Sequence, residues 1–186
     1  MKTIKGVKPL QLSVLLSGLL VLACACDAPR KSRFDDVAGV NVCELITPAE
    51  ADHILGPLLS AAPARNSGSG IAGECTWTFT SLPTNRKGTL YAMMTTRASS
   101  PHGPSPARFM EISKPEIEAS LGATPWQMKD LGDKAYLYQT RQPDHSEMWM
   151  LQSNTLFMLR MMGGSAAQLE EFARALSREL EPAGRQ

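Results

Sequence analysis

Four cysteines, three histidines and ten methionines are the side chains of this 186-residue chain best suited to binding metal or moving electrons, and their spacing limits what they can do. His53, His102 and His145 have no Cys, His or carboxylate at a familiar ligand spacing beyond Glu50, three residues before His53, and Asp144, beside His145. A structural metal needs about four convergent ligands, and Glu50 already reads as a helix cap, so no metal is expected. There is no Cys-x-x-Cys, which removes a thioredoxin-type redox centre and a zinc ribbon. The nucleophile signatures Gly-x-Ser-x-Gly, Ser-x-x-Lys and His-Glu-x-x-His are missing too. Gly163-Gly164 and Gly68-x-Gly70 are too short to be phosphate loops. The residues therefore point to a protein that is not an enzyme, with no catalytic residues and no cofactor. Methionine thioethers can hold Cu(I), but they also fill irregular core gaps and adaptable contact surfaces. Gap filling is the leading account here, a contact surface the second and copper the last.

The cysteines divide by position. Lys2, Lys5 and Lys8 make a cationic start without an acid, and an apolar run from Leu12 to Ala23 leads directly to Cys24. A run of about 12 residues is too short to span a ~30 Å hydrocarbon core. It fits the h-region of an export signal, with small residues at the cut. Val21-Leu22-Ala23-Cys24 resembles the bacterial lipobox, in which signal removal exposes a cysteine that is acylated. Residues 1–23 are thus expected to be a lipoprotein signal peptide and Cys24 the lipidation site. Cys26 is the alternative, but it has only Ala23 three positions upstream where Cys24 has Val21. The choice sets the address in a diderm cell. Asp27 directly after a lipidated Cys26 would favour inner-membrane retention, whereas Ala25 after Cys24 permits export to the periplasmic side of the outer membrane, the expected location. Two or more acyl chains make such anchoring stable.

Without the signal, 163 residues remain, enough for one domain with a sizeable core. Taking three Lys from the 19 basic residues leaves 16 against 18 acidic ones, a net of −2, which offers no basic field for nucleic acid. Residues 24–40 read as a lipidated tether, charged and without period, and residues 41–182 as a single domain. Four cysteines allow three pairings. With Cys24 acylated and a Cys24–Cys26 bridge strained, Cys43–Cys75 is the natural disulfide in an oxidising envelope. Closing that loop is worth roughly 3.7 kcal/mol in the chain-entropy model. Cys26 is left with no assigned role.

Elements follow from period and punctuation. Thr47-Pro48-Ala49-Glu50 opens a helix by N-cap, first-turn Pro and capping box, and Gly56-Pro57 closes it. Glu74 to Ser81 alternates, with Cys75, Trp77 and Phe79 on one face, as a half-buried strand does. Thr89 to Arg97 is a second strand. Helical segments follow Ser105-Pro106 and Ser113-Lys114-Pro115-Glu116, and Gly122 ends the latter. Gln127 to Thr140 reads as strand, and Met148–Gln152 pairs with Thr155–Arg160 across the two-residue turn Ser153-Asn154. Ser165 and Gln168 cap a last helix whose stripe is Leu169, Phe172, Ala173, Leu176 and Leu180. The expected fold is α+β, an antiparallel sheet of about five strands with helices mainly on one face, in the order α-ββ-α-βββ-α.

Cys43-Glu44-Leu45-Ile46-Thr47-Pro48-Ala49-Glu50, then Leu55-Gly56, then Cys75-Thr76-Trp77, resembles the start of the bacterial lipoproteins of the domain-of-unknown-function 3558 type. Asp130-Leu131-Gly132-Asp133-Lys134-Ala135-Tyr136 is similar to the segment those proteins carry before their last hairpin. Ile46 for the usual Leu and the Met-rich hairpin depart from the pattern. The resemblance spans roughly residues 41–180. It implies a disulfide-bonded periplasmic or cell-surface module and no reaction.

The last hairpin carries the functional expectation. Its register puts Met148, Met150, Phe157, Leu159 and Met161 on one face, Trp149, Leu151, Leu156 and Met158 on the other, with Glu147 opposite Arg160. Both faces are apolar and both need a cover. With one wide helical stripe to spend, one face is expected to stay open as a binding surface built from Met148, Trp149, Met150, Phe157 and Met158. The functional expectation is a non-enzymatic envelope lipoprotein, held at the membrane by its N-terminal lipid, that binds a partner protein or an apolar ligand. The alternative is an immunity or inhibitor lipoprotein that neutralises an envelope-acting enzyme.

Overall fold

The structure is a computed structural model that describes residue 34 and residues 39–63, 70–81, 85–142 and 144–180. The expected signal peptide, Cys24, Cys26, most of the tether and residues 181–182 lie outside the described residues. No described helix is long and apolar enough to cross a membrane.

The chain enters through a 3-10 turn at Val42–Glu44, capped by Asn41, whose side chain accepts from the Cys43 N–H. Helix α1 (Pro48–Leu55) starts as its sequence requires, with the Thr47 hydroxyl accepting from the Glu50 N–H at 3.2 Å. The Gly56 N–H returns to the Asp52 carbonyl, and the Asp52 carboxylate accepts from Leu58 N–H at 2.7 Å. That turn feeds strand β1 (Leu58–Pro63), followed by β2 (Gly73–Ser81) and β3 (Arg86–Thr95). Helix α2 (Pro106–Leu121) is next, then β4 (Trp126–Met128), β5 (Lys134–Gln139), β6 (His145–Gln152), β7 (Thr155–Met162) and α3 (Ala166–Leu180).

The fold is α+β, with one antiparallel seven-stranded sheet in the order β1-β2-β3-β7-β6-β5-β4. Three expectations change. The order is α-βββ-α-ββββ-α, because β1 has no alternation to betray it and the stretch read as a single strand from Gln127 is the hairpin β4–β5, folded back at Asp130 and Gly132, both at positive φ. Residues 106–121 form one helix and not two: Pro115 lies inside α2 on its exposed side. It lacks the N–H that would bond Glu111, a loss water can offset there.

The third change is the most consequential, for helices lie on both faces. α1 and α3 cover one face, where Leu169, Phe172 and Leu176 meet Trp77, Phe79, Leu90, Met148, Met150 and Phe157 in the main core. Trp77 meets Phe172 edge-to-face at 4.9 Å between centroids. α2 covers part of the other face, closing a smaller core of Met110, Tyr136, Tyr138, Trp149 and Leu156 with Phe109, Ile117 and Leu121. The Cys43–Cys75 disulfide ties the turn before α1 to the first part of β2, Cα to Cα 5.2 Å.

Candidate functional site

The β6–β7 register is the one its two-residue turn implies. Ser153 and Asn154 both take positive φ, and Glu147 faces Arg160, Trp149 faces Met158 and Met150 faces Phe157. The hairpin does not provide the open surface expected of it. Met148, Met150 and Phe157 are fully buried under α1 and α3, and Trp149 is buried under α2, where Phe109 stacks on it at 6.0 Å. Met158 is half-buried at the edge of that second core. The reason is α2. Read as two short helices, residues 106–121 have no stripe; as one helix they bring Phe109, Met110, Ile117 and Leu121 to a single side. Lys134 bonds Glu111 at 2.6 Å and pulls the Glu111 carboxyl below its ordinary range. Lys114 sits 4.5 Å over the Tyr136 ring. Burial, reinforced by Glu118, pushes the Tyr138 phenol up to about 12.

α2 reaches only the β5–β7 part of its face. Over β2, β3 and the far end of β7 the same face is open, and cross-strand register arranges its side chains in three rows. One is Glu74, Met93, Met158, Trp149, which passes under α2; the next is Thr76, Tyr91, Arg160, Glu147; the last is Thr78, Thr89, Met162, His145. The threonines, Tyr91 and Met93 are half-buried, while Arg160 and Met162 are exposed, Met162 at 53%. Successive rows are about 7 Å apart, two residues along a strand.

Hydrogen bonds tie the middle row together. Tyr91 donates to the Glu74 carboxylate, and burial together with that acid raises the phenol well above its ordinary range, so Tyr91 stays a donor. Arg160 Nε donates to Glu147 at 2.9 Å, and Trp149 Nε1 donates to the other oxygen of the same carboxylate at 2.8 Å. Glu147 is thus a buried charge with two donors, the condition under which burial is tolerable. Its effect is to fix Arg160 by one nitrogen while the rest of the guanidinium stands at the surface.

The last row runs into a cleft of about 340 Å³, lined by Arg86, Lys87, Thr89, Gln142, Asp144, His145, Met162 and Gly163. Gly88 and Gly163 make it possible. A Cβ on Gly88 would come within 2.6 Å of the Phe79 ring, and Gly163, at φ +78, packs on the Gly88 backbone. Gly163 N–H donates to the Asp144 carbonyl at 2.8 Å, joining the β5–β6 turn to the end of β7. His145 Nε2 is sealed from solvent with no hydrogen-bond partner among the described residues. The described residues hold no group of three or more His, Cys, Asp or Glu placed for a metal.

Sequence reading identified Cys43, Cys75, Glu147 and Arg160 in their actual relations, and misplaced the surface. Thr76, Thr78 and Thr80 alternating with the core residues of β2 were the available signal for an open face, since a strand with a helix on each side carries no such polar set. No family model and no curated protein matches this chain.

Proposed function

We propose that this chain is a non-enzymatic, lipid-anchored envelope protein whose disulfide-stapled domain binds a partner protein through the open half of its second sheet face. The observation that carries this reading is the coverage by α2, which stops at Met158 and leaves Tyr91, Met93, Arg160 and Met162 facing outward on a rigid central part of the sheet. A sheet centre is a precise platform, because its side chains are fixed by neighbours on both sides. The anchor rests on Val21-Leu22-Ala23-Cys24 and the cationic start, with the outer membrane as the expected destination. Kinship with lipoproteins of the domain-of-unknown-function 3558 type is part of the same proposal. It is supported by the Cys43–Cys75 bridge and by a first helix ending at Leu55-Gly56.

A photo-crosslinker placed at Thr78, on the open face, tests the reading in intact cells against one at Glu171, exposed on α3. A discrete crosslinked species from Thr78 and none from Glu171 is expected; equal yields from both would overturn it. Mass spectrometry of the mature N-terminus should show acylated Cys24, and an unmodified Cys24 would remove the anchor.

A further inference from the structure

We infer that the open half-face recognises an acidic segment of its partner, with one carboxylate taken by Arg160 and a second by Arg86 and Lys87 in the adjoining cleft; this rests on the partner-binding reading above. Three observations converge. Glu147 engages only Nε of Arg160, and Arg160 makes no other hydrogen bond among the described residues. Its terminal nitrogens are left for a carboxylate, whose two oxygens match the guanidinium fork. Holding Nε in advance lowers the ordering cost of that contact.

The second observation is the balance of charge that faces water. Glu147 and Glu74 are 3% and 8% exposed, so the acids of the first two rows lie beneath the surface. The charges that stand out are Arg160, Arg86 and Lys87, with Asp144 as the single exposed acid of the cleft among the described residues. Asp144 approaches Arg86 only to 4.0 Å, both side chains well exposed. Such a pair is worth little in water and yields readily to a competing carboxylate.

The third is geometry. Arg160 lies beside Tyr91 of β3, and Lys87 is four residues further along that strand, about 13 Å away in the strand direction. Carboxylates four residues apart on an extended chain have the same spacing. Met162, between the two positions, supplies an adaptable apolar contact.

The test uses the full-length protein in detergent micelles and the probe peptide acetyl-Glu-Thr-Glu-Thr-Glu-Thr-amide, with the Lys-Thr peptide and inorganic phosphate as separate arms. Saturable binding of the Glu-Thr peptide is expected, weakened about tenfold or more by Arg86→Gln with Lys87→Gln, the loss of roughly one charge-assisted contact. Arg160→Lys, which keeps the charge and loses the fork, should weaken it severalfold, and Arg178→Gln on the α3 side should leave it unchanged. The inference is overturned if the Lys-Thr peptide binds equally well, if the substitutions leave Glu-Thr binding unchanged, or if phosphate saturates the site and the peptide does not compete. Arg86 and Lys87 are exposed and outside both cores, so their variants keep the test readable should an Arg160 variant fold poorly. If the Thr78 crosslink forms in cells and survives the Arg86/Lys87 substitutions, the acidic partner is wrong and the partner surface stands. If the peptide binds as expected and no crosslink forms, the reverse holds.

Discussion

Removing Arg160 should cost more stability than neutralising its partner, although Arg160 is the more exposed of the two. The Glu147 side chain is 4% exposed and that of Arg160 is 50% exposed. Arg160→Ala leaves a buried carboxylate with only the Trp149 N–H. Stranding one member of a fully buried pair costs about 3–5 kcal/mol. Here one donor remains and water can enter the space the guanidinium leaves, so about 2 kcal/mol is expected. Glu147→Gln keeps an oxygen for Trp149, leaves no buried charge and returns Arg160 to solvent, for about 1 kcal/mol. For a domain of this size 1 kcal/mol corresponds to roughly 3–4 °C, so the melting temperature should fall by about 7 °C for Arg160→Ala and by about 3 °C for Glu147→Gln. Scanning calorimetry with urea melts on the same samples gives both numbers. In the double variant the stranded charge is gone, so the loss should be smaller than the sum of the two singles. An Arg160→Ala loss equal to or below that of Glu147→Gln would refute the claim that a buried charge holds Arg160 in place.

Cys75→Ser should destabilise the domain by about 2–5 kcal/mol, as removal of a native disulfide from a small secreted domain does; non-reducing peptide maps of the wild type should link Cys43 to Cys75. Phe109→Ala should loosen α2 at a cost of about 2 kcal/mol, roughly half of a fully buried Phe truncation, read as faster amide exchange in α2 with α3 unchanged. Because the Glu111 carboxyl is held below its ordinary range by Lys134, its contribution is complete at neutral pH and is lost as pH falls through the lowered value; Glu111→Gln should flatten the acid limb of the stability curve. Tyr138 is raised, so its contribution is complete below pH ~10 and is lost as pH climbs toward 12. Ultraviolet titration of Tyr138→Phe should remove a late-ionising phenol and shift alkaline unfolding upward.

The parts of the fold that were legible in the sequence are those fixed by local chemistry. The Thr47 cap, the Ser165–Gln168 box, the β2 alternation and the Ser153-Asn154 turn each carry their instruction within a few residues, and a turn of two residues fixes the register of everything that follows it. That is why the Glu147–Arg160 pair could be read in advance. What escaped depends on partners distant in sequence. β1, Leu-Leu-Ser-Ala-Ala-Pro, is a strand only because β2 offers it an edge, and its exposed residues carry no pattern. Pro115 hid the unity of α2, since a proline inside a helix reads as a new start. Missing α2 as one amphipathic unit put the expected open surface on Met148, Trp149, Met150, Phe157 and Met158, whereas the open part of the face begins beyond Met158. The cleft is assembled from the β2–β3 turn, the β5–β6 turn and the end of β7, which no sequence window contains.

Side-chain oxidation tests the partner surface most directly, because Met162 is at once its most exposed apolar residue and a sensitive chemical probe. Hydroxyl-radical footprinting should be compared between native membranes and the purified full-length protein, with Trp126, 63% exposed on β4 at the far edge of the sheet, as the internal reference. The account predicts that Met162 oxidation falls severalfold in membranes while Trp126 is unchanged. Equal Met162 oxidation in the two samples would contradict it.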